Sequence, residues 1–364
     1  MVDQLEKIIG QPHAVNQLNE LIKNNRIPHA LFFSGPSGVG KLFSAIHFIK
    51  ATTKIEHHKR ISNFEEPFVK YIIPLPRGKD EKPEHSATEK LTEKQIEDLR
   101  NQLERKKKNL YHKIYIEGAN NIKISSIREI KKFLSLDYSD VTNRFIVIED
   151  AHLMNKEAQN ALLKSLEEPP VGVIFILITP YEERLLSTII SRCWRIKFNS
   201  LSTDLVSKVL IDYFNISPDL AKKVSLFSSG SVQKAIELIE NNMQSLVEST
   251  VQFLRFSLAG WYNSAYIELK NSTDDFDKNK VKEIFNLINI WLVDAQKNKL
   301  SVNNYYYDEH IETFERFNKN FPKAEIIKIS SEVDKAIQLM DKNILLNVII
   351  LNLILKLRSI SIWK

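Results

Sequence analysis

Apolar residues recur along this chain in two rhythms, and the change between them divides it. Up to about residue 198, short apolar runs alternate with stretches of helical period; beyond it the helical period persists alone. Residues 12–24 read as a helix, with Pro12 suited to its first turn and Val15, Leu18, Leu21 and Ile22 at helical spacing. Ala30-Leu31-Phe32-Phe33-Ser34 is a short apolar strand, and the helix expected after Lys41 buries Phe43, Ile46 and Ile49 or Phe48. From Tyr111 the alternation resumes, with a strand expected near Tyr115. Ser125 or Ser126 can cap a helix that carries Ile127, Ile130 and Leu134. Arg144 to Ile148 is a buried strand ending in two acids, Glu149 and Asp150. Asn155 can cap a further helix with Ala158, Ala161, Leu162, Ser165 and Leu166 on one side, which Pro169-Pro170 stop. Val173 to Ile178 is another apolar strand, closing at Thr179-Pro180. Such alternation predicts a parallel sheet covered on both faces, with its ligand site at the carboxyl ends of the strands.

Residues 54–113 interrupt this pattern. A polar stretch passes through Pro67, Pro74, Pro76 and Pro83 into a charged helix. Thr92 and Gln95 form a capping-box pair there, and Ile96, Leu99 and Leu103 line one face. The run Arg105-Lys106-Lys107-Lys108 ends that helix. It reads either as a basic patch or, more plainly, as a solvated helix end whose cations suit the dipole; the plainer reading is preferred. After Phe198 no convincing strand remains. Short helices are expected over roughly 202–243, with Gly230-Ser231 starting the last of them. Longer helices follow from about 246, through Trp261 and Trp291 to the apolar end at Ile344–Leu355.

Composition narrows the class. The chain has 364 residues, 43% hydrophobic and 26% charged, which suits two or three folded domains. The opening residues lack the basic-then-apolar pattern of a secretory signal, and Ile344–Leu355 is too short to span a bilayer. A cytoplasmic location without membrane contact is therefore expected. A single cysteine, Cys193, rules out an internal disulfide and a multi-cysteine zinc site. The formal charge of +6 permits a nucleic-acid partner without demanding one.

Candidate chemistry begins at Gly35-Pro36-Ser37-Gly38-Val39-Gly40-Lys41. Strand, glycine-rich loop and helix together make a phosphate-binding loop, in which backbone N–H groups at the helix start face phosphate oxygens. The next residue should be Ser or Thr, whose hydroxyl holds Mg²⁺. Here it is Leu42, which cannot coordinate a cation.

The order of motifs is more specific than any one of them. Gly10-Gln11 precedes the first helix, and Arg26-Ile27-Pro28-His29-Ala30 runs into the loop. Glu149-Asp150-Ala151-His152 is followed by Asn160-Ala161-Leu162-Leu163-Lys164-Ser165-Leu166-Glu167-Glu168-Pro169-Pro170, and then by Thr188-Ile189-Ile190-Ser191-Arg192-Cys193. This succession resembles the AAA+ subunits of the bacterial DNA polymerase III clamp loader, and most of all the delta-prime type. The likeness is strong over about residues 7–200, weaker to about 245 and compositional beyond.

The resemblance implies an α/β AAA+ module at 1–198, a small helical lid at 199–245 and an all-α collar at 246–364. It implies a ring with other clamp-loader subunits, of gamma/tau and delta types, that places a sliding clamp on primer-template DNA. In ATP-hydrolysing members the loop hydroxyl and a strand-end Asp share the metal. Here those positions are Leu42 and Glu149, and the water-orienting Glu is replaced by Asp150. The Arg that follows the lid's Gly-Ser is Gln233 in this chain. A misplacement of about 1 Å can cost on the order of 10²-fold in rate, so these departures together imply no ATP turnover and no ATP-Mg of its own. Thr179 stands where the family has its first sensor. Arg192 is the contrast: in the family the Arg of Ser-Arg-Cys enters the neighbour's ATP-Mg site as an arginine finger. The plainer alternative pairs Arg192 with a surface acid.

Where the family has a four-cysteine zinc knuckle, this chain has residues 54–113, and His57, His58 and His85 lack the spacing of a zinc site, so no metal is expected. Lys123 and Arg128, near a helix start, are the candidates for phosphate contact with DNA. Two other readings stay open: a competent P-loop ATPase of the motor type, and a stand-alone DNA-binding protein.

Overall fold

A computed structural model describes residues 2–82, 84–135, 141–340, 342 and 344–361; Pro83 lies outside them. By its contacts the chain divides into two units, one of residues 1–221 with 229–234 and the other of 222–228 with 235–364. Residues 199–245 contribute to both.

The first unit is a parallel sheet wrapped by helices. Its elements run α1 (Pro12–Lys23), β1 (Ala30–Ser34), α2 (Lys41–Ala51), α3 (His58–Ser62), β2 (Val69–Ile72), α4 (Glu93–Lys108), α5 (Ile124–Leu134), β3 (Arg144–Ile148), α6 (Lys156–Glu167), β4 (Val173–Thr179), α7 (Ser187–Ile190), β5 (Trp194–Lys197) and α8 (Thr203–Phe214). The strands lie in the order β2-β3-β4-β1-β5, every pairing parallel. β1 and β4 sit inside the sheet and are buried along their whole length, which is why they read as continuous apolar runs rather than alternating ones. One core face joins Phe32, Ile146, Ile148, Phe175 and Leu177 of the strands to Ile127 and Ile130 of α5 and Leu162 of α6.

The strands differ from the sequence pattern in three places. A strand, β2, lies inside the stretch that read as an interruption; at four residues, with Lys70 and Tyr71 at its centre and prolines on both sides, it is too short to show a period. The strand expected near Tyr115 is absent: among the described residues, 111–123 hold turns and one isolated bridge, Ile122 to Met154. β5, an edge strand with only Ile196 buried, carried no apolar run to mark it. The caps fare better. Thr92 and Gln95 close a capping box on α4, and Asn155 Oδ1 accepts the Ala158 N–H at 2.9 Å. Neither Ser125 nor Ser126 caps α5, whose first residue is Ile124; both are buried inside its first turn.

The second unit is helical. After α9 (Pro218–Phe227) and α10 (Val232–Glu240), which each carry residues of both units, come α11 (Met243–Ala259), α12 (Tyr262–Ser272), α13 (Lys278–Lys299), α14 (Ile311–Asn320), α15 (Ile326–Met340) and α16 (Leu346–Ser361). Its core sets Trp291 against Phe314 and Phe317 at ring separations of 6.2 and 5.3 Å. Asp294, wholly buried, accepts the N–H groups of Tyr306 and Tyr307 at 2.7 and 2.8 Å and meets the Lys297 ammonium at 3.1 Å. No described helix is long and apolar enough to cross a membrane.

Candidate functional site

The glycine loop joins β1 to α2 and lies at the carboxyl ends of β1, β3 and β4, where a parallel sheet of this kind exposes its ligand crevice. The backbone explains its sequence. Gly35, Gly38 and Gly40 all have positive φ, and a side chain at Gly35 would meet the Phe198 carbonyl at 2.1 Å. Gly38 sits beneath the start of α10: its carbonyl accepts the Val232 N–H at 2.9 Å, and a Cβ there would lie 2.0 Å from Ser231 Oγ. Gln233 borders the same crevice.

Lys41 extends along the loop and donates to the carbonyls of Gly35, at 2.6 Å, and Pro36. Burial holds its pKa down at about 8, against the opposing pull of Asp150 and Glu149. Leu42 is 4% exposed and belongs to the core. Thr179, at the end of β4, is fully buried; its hydroxyl accepts the Tyr181 N–H at 2.9 Å and lies 3.1 Å from His152 Nδ1. Burial, with Arg184 next, lowers the His152 pKa to about 4.

Glu149 directly follows β3, in the position where a metal-binding carboxylate is expected. One of its oxygens accepts a hydrogen bond from the Tyr71 hydroxyl, and the other lies 2.9 Å from the Lys106 ammonium. Lys106 is 2% exposed and donates a second hydrogen bond to the His112 carbonyl. Loss of water, then the charge of Glu149, raises the Tyr71 pKa well above its ordinary value. Tyr111 stacks on Phe43 at 5.5 Å and reaches over Gly40, where a Cβ would meet its hydroxyl at 3.1 Å.

The sequence reading of the 105–108 run is thus wrong at one residue. Lys106 is not a solvated helix end but a buried cation in the crevice. The signal was present: Leu99, Leu103 and Lys106 follow one another at spacings of four and three, so the lysine falls on the apolar face of α4. Tyr71 and Tyr111 were missed because nothing local marks them.

The fold implies a magnesium nucleotide at this loop, and the residues do not fit one. A metal needs a hydroxyl after the lysine and an available strand-end carboxylate. The first is a buried leucine, and both oxygens of the second are already engaged by side chains of the same chain.

Arg192 lies apart from the crevice, just after α7. Its guanidinium meets Glu167 at 3.1 Å and donates to the Thr188 carbonyl at 2.9 Å, with its side chain 37% exposed. An exposed pair of this kind contributes about 0–1 kcal/mol, so it yields readily to a stronger anion. Lys123 is held between Glu81, at 2.6 Å, and the Ala87 carbonyl, at 2.9 Å, with its side chain 10% exposed, and does not present a free ammonium. Arg128 is exposed on α5. Among the described residues no cluster of His, Cys, Asp and Glu is arranged to hold a metal ion.

One family model and several curated relatives match this chain. The model of the family described as "DNA polymerase III, delta subunit" matches residues 10–202. DNA polymerase III subunit tau of Bacillus subtilis is 28% identical over 242 residues, 65% of this chain and 37% of its own length. Subunit gamma of Buchnera aphidicola from Acyrthosiphon pisum is 31% identical over 64% of this chain and 57% of its own. Subunit delta-prime of Bacillus subtilis is 26% identical over 64% of this chain and 60% of its own. The match thus spans less than two thirds of the length of each of these relatives.

Proposed function

We propose that this chain, which belongs to the DNA polymerase III delta-subunit family of bacterial clamp-loader proteins, serves its complex as a non-hydrolysing subunit of the delta-prime kind. It braces a ring of AAA+ subunits that places a sliding clamp on primed DNA, and it extends Arg192 toward the ATP of an adjacent motor subunit. On this reading residues 199–245 act as the lid and 246–364 as the collar through which the ring forms.

The observation that carries the reading is the state of Glu149. A carboxylate held by Lys106 and Tyr71 is not available to a metal, and Leu42 offers no second ligand. Gln233 adds no positive charge at the crevice. Arg192, by contrast, keeps a residue type whose planar fork of donors suits phosphate oxygens and which a lysine would not replace. It is held by a weak surface pair that a neighbour's phosphate can displace.

A second reading has support in the relatives. The identity to a tau subunit and a gamma subunit, 28% and 31%, is at least as high as the 26% to a delta-prime subunit. A gamma/tau-type motor would bind and hydrolyse ATP by itself. Calorimetric titration of the purified chain with ATP and Mg²⁺ separates the two. The delta-prime reading expects no saturable magnesium-dependent binding; micromolar binding with turnover would establish the motor reading in its place.

A further inference from the structure

We infer that the segment 54–113 supplies an internal counter-ion to the nucleotide crevice, the Lys106 ammonium taking the post beside Glu149 that a divalent cation holds in a working phosphate-loop site. The inference goes beyond the proposed subunit type, on which it does not depend, because it concerns what fills this chain's own crevice.

Three features lead to it. First, the lysine is carried in on the apolar face of α4, whose Leu99 and Leu103 pack on a small core of Ile73, Leu75, Ala87 and Ile116. The segment has a hydrophobic centre of its own and does not depend on a metal to order it. Second, further ion pairs and a hydrogen bond tie the segment, through β2 and residues 81–87, to α5 and the residue before it. Lys70 of β2 meets Glu129 of α5 at 2.7 Å, and Glu129 also accepts the Ala87 N–H at 2.8 Å. Lys123 meets Glu81 at 2.6 Å. Third, the buried ammonium is answered on both sides, by Glu149 and by the His112 carbonyl, and Glu149 is answered in turn by Tyr71. A buried charge is tolerated when it is paired and hydrogen-bonded; this ammonium is paired with a carboxylate, and two of its three donors have partners. Lys41 and Lys113 border the same crevice. With three ammonium groups around Glu149 and Asp150, a further cation would enter against net positive charge.

The arrangement also gives residues 54–113 a function. The segment closes the crevice from within, so that the loop keeps its shape with no ligand bound. Leu42 then follows from the lysine: once an ammonium neutralises the strand-end acid, no metal remains for a hydroxyl to hold, and a leucine can join the core.

The experiment uses the intact native chain. A brief pulse of an amine-reactive reagent, read by peptide mass spectrometry, should label Lys106 more than about tenfold more slowly than Lys108, which is exposed on the same helix, since a buried amine reacts only through local opening. Mg²⁺ with ATP should leave that ratio unchanged. Urea unfolding of Lys106→Met, Glu149→Leu and the double variant gives the second measurement. Each single variant should lower the midpoint, and the double should recover much of the loss rather than add the two. Labelling of Lys106 at the rate of Lys108, or additive midpoints, would overturn the inference; the calorimetric titration with ATP and Mg²⁺ then decides the non-hydrolysing reading on its own. Magnesium-dependent ATP binding that exposes Lys106 to the reagent would overturn both. Should Lys106→Met fail to fold, the labelling ratio of the wild-type chain still decides.

Discussion

Replacing Leu42 by Thr restores the residue type that a phosphate loop ordinarily carries, and the structure says what this costs and what it fails to gain. Leu42 is 4% exposed, so the change removes two buried carbon atoms. At about 0.8 kcal/mol per buried methylene, that is roughly 1.6 kcal/mol. The new hydroxyl enters an apolar site, where a polar group without a partner costs about 1–3 kcal/mol more. The folded state should therefore lose about 3–5 kcal/mol, measured by urea unfolding followed by circular dichroism. The gain in metal binding should be nil, because Glu149 remains engaged by Lys106 and Tyr71. The decisive comparison is unfolding of Leu42→Thr with and without saturating ATP and Mg²⁺. A ligand at 100 times its dissociation constant would stabilise the chain by about 2.7 kcal/mol. A shift of that size, or any magnesium-dependent ATP turnover, would refute the reasoning, since it would mean that the missing hydroxyl alone had silenced the site.

Other outcomes follow from the same geometry. Gly38→Ala places a Cβ 2.6 Å from Gln233 Cβ at a φ of +73°, so it should cost about 1–3 kcal/mol and speed hydrogen exchange at the Val232 amide, which loses its bond to the Gly38 carbonyl. Burial holds the pKa of His47 at about 3 and that of His152 at about 4, against an ordinary 6.5. Below pH 6.5 the unfolded chain therefore takes up protons that the folded chain refuses, and stability falls as pH drops toward 4. His47→Phe should flatten that decline relative to wild type in urea midpoints taken across the range; an identical slope would show that His47 is not held neutral. Asp294→Ala strands two backbone N–H groups and a lysine partner in the helical unit. It should cost about 2–4 kcal/mol by urea unfolding, and a loss under about 1 kcal/mol would contradict the role given to that carboxylate.

Legibility in the sequence followed burial. β1 and β4 were readable because a strand covered on both faces is apolar at every position, and the α4 capping box was readable because it is set by residues three apart. β2 and β5 were not, since a short edge strand is mixed in polarity and its pairing depends on residues far along the chain. At the crevice, the loop, Leu42 and Glu149 could be named from their order alone. The partners of Glu149 could not: Tyr71 and Lys106 are 78 and 43 residues away from it, and only the folding of 54–113 brings them there. The register of Lys106 with Leu99 and Leu103 was the one local clue, outweighed by the three basic neighbours that made it look like a solvated end. Lys123 misled in the opposite sense, because a lysine at a helix start suggests an anion, whereas Glu81 and the Ala87 carbonyl already hold it.

In the proposed division of labour, chemistry is absent from this chain's own crevice and is contributed to a neighbour's through Arg192. The most direct test is Arg192→Ala in a clamp loader reconstituted with its partner subunits. The complex should assemble at unchanged stoichiometry, because the guanidinium is held by an exposed pair with Glu167 and by the Thr188 carbonyl. ATP hydrolysis at the adjoining site should fall by about 10³-fold or more, the scale of a lost arginine finger. Hydrolysis by the loader at the wild-type rate would contradict the account.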